Sequence, residues 1–73
     1  MENTIDFMLR GEHITLDALL KATGLAASGG DAKVTITAGG VAVNGQTELR
    51  RGRKLRAGDV VTTGTQRVLV HGG

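Results

Sequence analysis

The chain has 73 residues, with nine Lys and Arg against seven Asp and Glu, 40% hydrophobic residues and one aromatic residue, Phe7. Cysteine is absent, which excludes disulfide bonds, thiolate catalysis and any cysteine-based zinc site. We expect one domain over residues 1–73 with a small aliphatic core, because a chain of this length hides only about 60% of its unfolded surface.

The N-terminal segment predicts a strand and no export signal. Acidic residues, Glu2 and Asp6, stand where a signal peptide would carry positive charge. Ile5, Phe7 and Leu9 alternate with other side chains at the period of a half-buried strand, with Phe7 directed to the core. No segment of the chain approaches the about 20 apolar residues of a membrane-spanning helix. We therefore expect a soluble, cytoplasmic protein without a membrane segment.

Two helices are predicted next. Three leucines recur at helical spacing behind Thr15, a plausible N-cap, and Gly24 provides a C-terminal stop, which predicts a helix over about residues 15–23. Ser28, followed three residues later by Asp31, resembles a capping box and predicts a second helix over about residues 29–38.

The second half of the chain predicts several short strands. Val41 and Val43 face one way and enter Asn44-Gly45, the strongest short signal for a type I′ hairpin turn. Further on, the pattern predicts a turn at 57–59, a strand at Val60–Thr63, a tight connection at 64–66 and a last strand at 67–71.

The residues offer little for catalysis. His13 and His71 are isolated histidines in different segments, and four metal ligands cannot be assembled from them and scattered acids. The glycine pairs at 29–30 and 39–40 fit no phosphate-binding motif. We expect no enzymatic activity, no cofactor and no metal.

Five of the nine basic residues fall within residues 50–56, which we call the basic segment. They are Arg50, Arg51, Arg53, Lys54 and Arg56. Glu48 lies before this segment and Asp59 after it, so no acid interrupts it. A solvated loop that aids solubility is one interpretation. Nucleic-acid binding is favoured because guanidinium groups suit bidentate phosphate contacts and a turn-and-strand scaffold fixes where they point.

The kind of nucleic acid is less well specified by the residues. Reading of unstacked bases normally uses aromatic platforms, which this composition lacks. Phosphate and shape recognition of structured RNA suits it better, and charge alone does not exclude DNA.

From Thr15 to about Thr63 the chain resembles the S4-type RNA-binding domain, or alpha-L motif, particularly its short stand-alone bacterial members. The matching residues are Leu16-Asp17, Leu19-Leu20, Gly24-Leu25, Ser28, Ala32-Lys33, Ile36, Gly39, Val41, Val43-Asn44-Gly45 and Gly58-Asp59. The resemblance implies an α+β fold, with two short helices packed on a small, mostly antiparallel sheet. It also implies binding of structured RNA, often ribosomal, through the helices and the adjoining turn, without catalysis.

The resemblance carries over Lys33 and the turn residue Asn44 as RNA-binding candidates, and Lys21 adds to the helical face. The family usually has basic residues at the positions of Thr15, Gly29 and Gly40, which this chain lacks. We therefore expect most RNA contacts to come from the basic segment. We expect the protein to be a monomer that binds RNA and associates with the ribosome or with other proteins.

An alternative from another class rests on Gly72-Gly73, because sulfur carriers and ubiquitin-like modifiers of the β-grasp fold end in Gly-Gly. Against it, that fold needs a hairpin before its first helix, and only one short strand is predicted before Thr15.

Overall fold

The computed structural model describes residues 3–72, in which two helices pack on a five-stranded sheet beside a separate two-stranded ladder. The elements in chain order are β1 (Asn3–Met8), β2 (Ile14–Thr15), α1 (Leu16–Ala22), α2 (Gly29–Thr37), β3 (Val41–Val43), β4 (Gln46–Thr47), β5 (Lys54–Leu55), β6 (Val60–Thr63) and β7 (Gln66–His71). The expected α+β architecture is confirmed.

The larger sheet has the strand order β1-β7-β6-β3-β4. Its pairs are antiparallel except for β1 and β7, which run parallel with Ile5 opposite Val68. The sheet is therefore mixed and mostly antiparallel. The sequence predicted a first and a last strand, which correspond to β1 and β7, but it gave no sign that the two are neighbours.

The hairpin between β3 and β4 has the predicted turn. Asn44 and Gly45 have φ values of 52° and 85°, and a type I′ turn needs positive φ at both central residues. The Asn44 side chain also joins the turn to the start of β6. Its Nδ2 donates to Asp59 Oδ1 at 3.0 Å, and its Oδ1 accepts from the Val60 N–H at 2.9 Å.

Helix α1 lies within the predicted range, but its start differs in detail. Thr15 is the N-cap residue, yet its hydroxyl makes no bond to the helix backbone. It donates instead to Asp17 Oδ1 at 2.7 Å, and that carboxylate oxygen accepts from the Ala18 N–H at 2.8 Å. Gly24 follows the helix with φ of 78°, the left-handed conformation that a C-terminal stop requires.

Helix α2 begins as the sequence predicts. Ser28 Oγ accepts from the Asp31 N–H at 3.1 Å. The Asp31 carboxylate accepts from the Ala27 N–H at 2.9 Å. In a capping box the donor would be the N–H of the next residue, Ser28. These bonds help to hold a helix whose first two residues, Gly29 and Gly30, have low intrinsic helix propensity.

The core lies between the helices and the sheet and is aliphatic. Its buried members are Leu9, Leu16, Leu19, Leu20, Ala26, Ala32, Ile36, Val41, Val43, Leu55, Val61, Val68 and Val70. Phe7 was expected in this core, but it is half-buried and packs against it. Its ring also lines a surface groove with His13 and Ile14.

The β-grasp alternative finds no support in the strand pairing. Within residues 3–72, β1 pairs with β7 and β2 pairs with β5, so no hairpin precedes α1. Gly73 lies outside the described residues. Neither helix found there is long and apolar enough to span a membrane.

Candidate nucleic-acid interface

The backbone of the basic segment is fixed against the start of α1. The N–H groups of Leu16 and Asp17 donate to the carbonyl oxygens of Arg53 and Arg51 at 2.9 and 3.0 Å. The first N–H groups of a helix have no partner within the helix, so the segment satisfies two of them. The ladder between β2 and β5 adds a second attachment. The basic side chains therefore project from an ordered support.

A buried carboxylate lies beneath two of these side chains. Glu48 is 7% exposed, and it accepts from Arg50 Nε at 3.1 Å, Arg50 Nη2 at 3.2 Å and Arg53 Nη1 at 2.8 Å. The Arg50 backbone N–H adds a fourth bond at 3.1 Å. The sequence places Glu48 outside the run of charge, whereas the fold brings it into contact with two of its five members.

Sequence analysis missed this role of Glu48. The signal available was an acid two residues before the first arginine, but such spacing is common on solvated surfaces. The hydrogen bonds from Arg50, followed by those from Arg53, lower the pKa of Glu48 from 4.5 to about 2, although burial opposes the shift. Glu48 is therefore ionised at neutral pH and offsets one positive charge of the segment.

Acid is expected to destabilise the fold progressively between about pH 5 and pH 2. The folded-state pKa of Glu48 lies below its ordinary value of 4.5, so its stabilising contribution is complete above that value and disappears as the pH falls towards 2. Asp17 and Asp59 also have lowered pKa values and act in the same direction. Urea unfolding midpoints measured against pH test this, and Glu48→Gln should flatten the profile. The same slope in Glu48→Gln and wild type would contradict the assignment.

The other three members of the basic segment are available to a ligand. Within residues 3–72, no hydrogen bond or ion pair engages the side chains of Arg51, Lys54 or Arg56, and all three are exposed. An open depression of about 510 Å³ lies at this surface. Its lining consists of Arg50, Gly52, Arg53, Lys54 and Arg56. An anion that entered it would meet four cationic side chains.

The far end of the basic segment is held by Asp59. Its carboxylate accepts from the Arg56 N–H at 2.8 Å and from the Asn44 amide at 3.0 Å. Burial raises the pKa of Asp59, but these two bonds and the charges of Arg53 and Arg56 outweigh it, so the pKa lies below its ordinary value. Asn44, an RNA-binding candidate from the sequence, thus uses both its amide nitrogen and its oxygen within the protein.

The histidines do not form a catalytic or metal-binding group in the described part of the chain. His71 Nε2 lies 2.8 Å from Asp6 Oδ1, which ties β7 to β1. His13 is exposed at the groove beside Phe7. Residues 3–72 contain no cluster of three or more potential ligands for a metal ion.

Comparison with known families identifies the fold. The family model described as S4 domain matches residues 7–71, nearly the whole chain. The chain belongs to the S4 domain family. The match extends beyond the 15–63 expected from the sequence, because it includes the end of β1 and the whole of β7. No curated protein matches the chain. S4 domains are associated with RNA binding, which makes the basic segment the leading candidate interface.

A lysine lies beside Gly29, one of the positions where the family resemblance suggests a basic residue. A Cβ atom built on Gly29 would lie 3.9 Å from Lys21 Nζ. The Lys21 ammonium group therefore lies next to the start of α2. Lys33 is exposed on α2. Lys21 and the basic segment both lie near Asp17, whose pKa is lowered first by the hydrogen bond from Thr15 and also by the charges of Lys21 and Arg51.

Gly40, a second position where the family resemblance suggests a basic residue, leaves little room for a side chain. A Cβ atom on Gly40 would lie 3.1 Å from the Thr35 carbonyl oxygen and 3.2 Å from Thr35 Cγ2. The same oxygen accepts the Gly40 N–H at 3.0 Å, which holds β3 against the end of α2. A side chain at this position would therefore require Thr35 to shift by a few tenths of an ångström.

Proposed function

We propose that this protein binds structured RNA, with ribosomal RNA the class that the family resemblance favours, through phosphate contacts from its basic segment. It acts as a monomeric, cytoplasmic binding protein of one domain without catalytic activity. The observation that carries the proposal is the set of three exposed cations, Arg51, Lys54 and Arg56, whose side chains make no hydrogen bond or ion pair in the described protein. These side chains are therefore available to an anion.

Several features favour RNA phosphates over other anions. The S4 domain family is associated with RNA binding. Three of the four cations that line the depression are arginines, whose planar guanidinium groups match phosphate geometry. The one aromatic side chain, Phe7, lies half-buried at the groove between β1 and α1. Phosphate and shape contacts therefore account for the composition better than stacking on unpaired bases.

A salt titration with a fluorescently labelled RNA hairpin tests the proposal. Each phosphate contact releases counterions, so log K should fall against log salt with a slope of about 0.7 to 0.9 per contact. Contacts from Arg51, Lys54 and Arg56 alone predict a slope of about 2 to 3. A single-stranded RNA of the same composition and a DNA hairpin of matching sequence serve as comparisons. Binding that does not change with salt, or that favours the single-stranded RNA or the DNA hairpin over the RNA hairpin, would reject the proposal.

A further inference from the structure

We propose that Glu48 is a positioning residue for RNA binding, because its carboxylate holds the guanidinium groups of Arg50 and Arg53 in the orientation that meets phosphate. The inference rests on the proposed function. It is unexpected from charge alone, since a carboxylate within a basic surface should repel RNA.

The geometry separates the negative charge from the surface. The Glu48 side chain is 9% exposed, whereas those of Arg50 and Arg53 are 73% and 35% exposed. The two arginines therefore cover the carboxylate and present their own charge outwards. A phosphate at the depression would meet guanidinium groups before it met Glu48.

Both arginines keep donors for a ligand. A guanidinium group has five N–H donors. Arg50 directs Nε and Nη2 to Glu48, and Arg53 directs Nη1 to it. The remaining N–H groups, including both on Arg50 Nη1, are unused within residues 3–72. Each arginine can bind Glu48 with one edge and a phosphate with another.

Two effects of opposite sign follow from this arrangement. Immobilising a long side chain on binding costs about twofold to tenfold in affinity, and Glu48 removes part of that cost for two arginines before RNA arrives. Its charge also repels phosphate, but the covering guanidinium groups and salt screen that repulsion. We expect the gain from ordering to exceed the loss from repulsion.

Two variants that each neutralise one acidic residue show whether Glu48 strengthens or weakens RNA binding overall. Glu48→Gln and Glu12→Gln each raise the net charge by one, and Glu12 is exposed without a hydrogen bond or ion pair in the described chain. If charge alone mattered, both variants would bind an RNA hairpin more tightly, Glu48→Gln most. Positioning predicts that Glu48→Gln binds about fivefold more weakly than wild type, while Glu12→Gln binds equally or slightly more tightly.

Removing the side chains that Glu48 positions, those of Arg50 and Arg53, should reverse the effect of Glu48→Gln on RNA binding. In a background with Arg50→Ala and Arg53→Ala, Glu48 has nothing to position and contributes only repulsion, so Glu48→Gln should now tighten binding. A general loss of structure in Glu48→Gln would weaken binding in both backgrounds. If Glu48→Gln fails to fold, Arg50→Lys and Arg51→Lys are compared instead. Both substitutions keep the positive charge, but only Arg50→Lys removes the paired hydrogen bonds from a guanidinium group to Glu48. Arg50→Lys should bind about fivefold more weakly than Arg51→Lys.

An NMR measurement on the protein without RNA separates the hypothesis of RNA binding from that of positioning by Glu48. The Nε–H resonance of Arg50 should be resolved and slow to exchange with water in wild type, and it should collapse towards the resonances of solvated arginines in Glu48→Gln. If wild type shows this signature but fails to bind RNA, the proposed function is wrong. If wild type binds RNA and Glu48→Gln binds more tightly, or Arg50 Nε–H is unchanged in that variant, positioning by Glu48 is wrong.

Discussion

Leu55→Ala is expected to destabilise the protein by about 2–5 kcal/mol, the range for removing a buried leucine side chain from a well-packed core. Leu55 is completely buried and lies opposite Ile14 in the ladder of β2 and β5. It is also the residue that anchors the basic segment in the core. The substitution leaves a cavity at the point where that segment joins the fold.

The loss is a large fraction of the total because the domain is small. At about 0.05–0.15 kcal/mol per residue, a chain of 73 residues has a free energy of unfolding of about 4–11 kcal/mol. Residues 3–72 bury no aromatic side chain fully, and the core consists of leucine, isoleucine, valine and alanine.

Leu49→Ala is the matched control, since it makes the same chemical change in a 56% exposed side chain of the loop that precedes β5. It should alter the free energy of unfolding by no more than about 0.5 kcal/mol. Urea unfolding followed by circular dichroism measures both variants, with the m-value used to check that the transition keeps its cooperativity. Equal midpoints for Leu55→Ala and Leu49→Ala would show that the segment is not anchored as described.

The parts of the fold that depend on local chemistry could be predicted from the sequence. Helix α2 begins where Ser28 accepts from the Asp31 N–H, a contact between residues three apart. The Asn44-Gly45 turn follows from the conformations open to those two residues. Strand β6 has the predicted bounds, Val60–Thr63. In each case the information lies within a few residues of the element.

The parts of the fold that depend on pairing between distant residues could not be predicted from the sequence. β2 and β5 contain two residues each, too few for any periodicity, and they form because residues about 40 apart in the chain come together. The parallel pairing of β1 with β7 joins residues 63 apart, such as Asn3 and Gln66. The side-chain bond between Asp6 and His71 spans 65 residues. Glu48 escaped notice for a related reason, since its importance comes from burial beneath Arg50 and Arg53, which a linear charge pattern does not reveal.

These distant contacts change the meaning of the charge pattern. The sequence presents five equivalent cations, whereas the fold divides them into two that are bonded to a buried carboxylate and three whose side chains make no hydrogen bond or ion pair in the described chain. Lys21 and Lys33 belong to the helices, whereas these five cations belong to the segment. Charge-matched variants can separate the contributions of the two sets to binding.

Neutralising Arg51, Lys54 and Arg56 together to glutamine is expected to weaken binding of a structured RNA hairpin about 100-fold, if each phosphate contact contributes about 1 kcal/mol. The slope of log K against log salt should fall by about 2 to 3, because three counterion-releasing contacts are lost. These residues make no side-chain bonds within the described protein, so the fold should be unaffected. Circular dichroism and urea unfolding confirm this before binding is measured.

The matched control neutralises Arg10, Lys21 and Lys33 to glutamine, which lowers the net charge by the same three units on exposed residues elsewhere. Long-range attraction falls equally in both variants, so any difference between them reports direct contact. Binding through the basic segment predicts that the control loses less than about tenfold in affinity and keeps most of its salt slope. The reverse order, with the greater loss in the control, would transfer the RNA interface to the helices and leave the basic segment as a solvated surface.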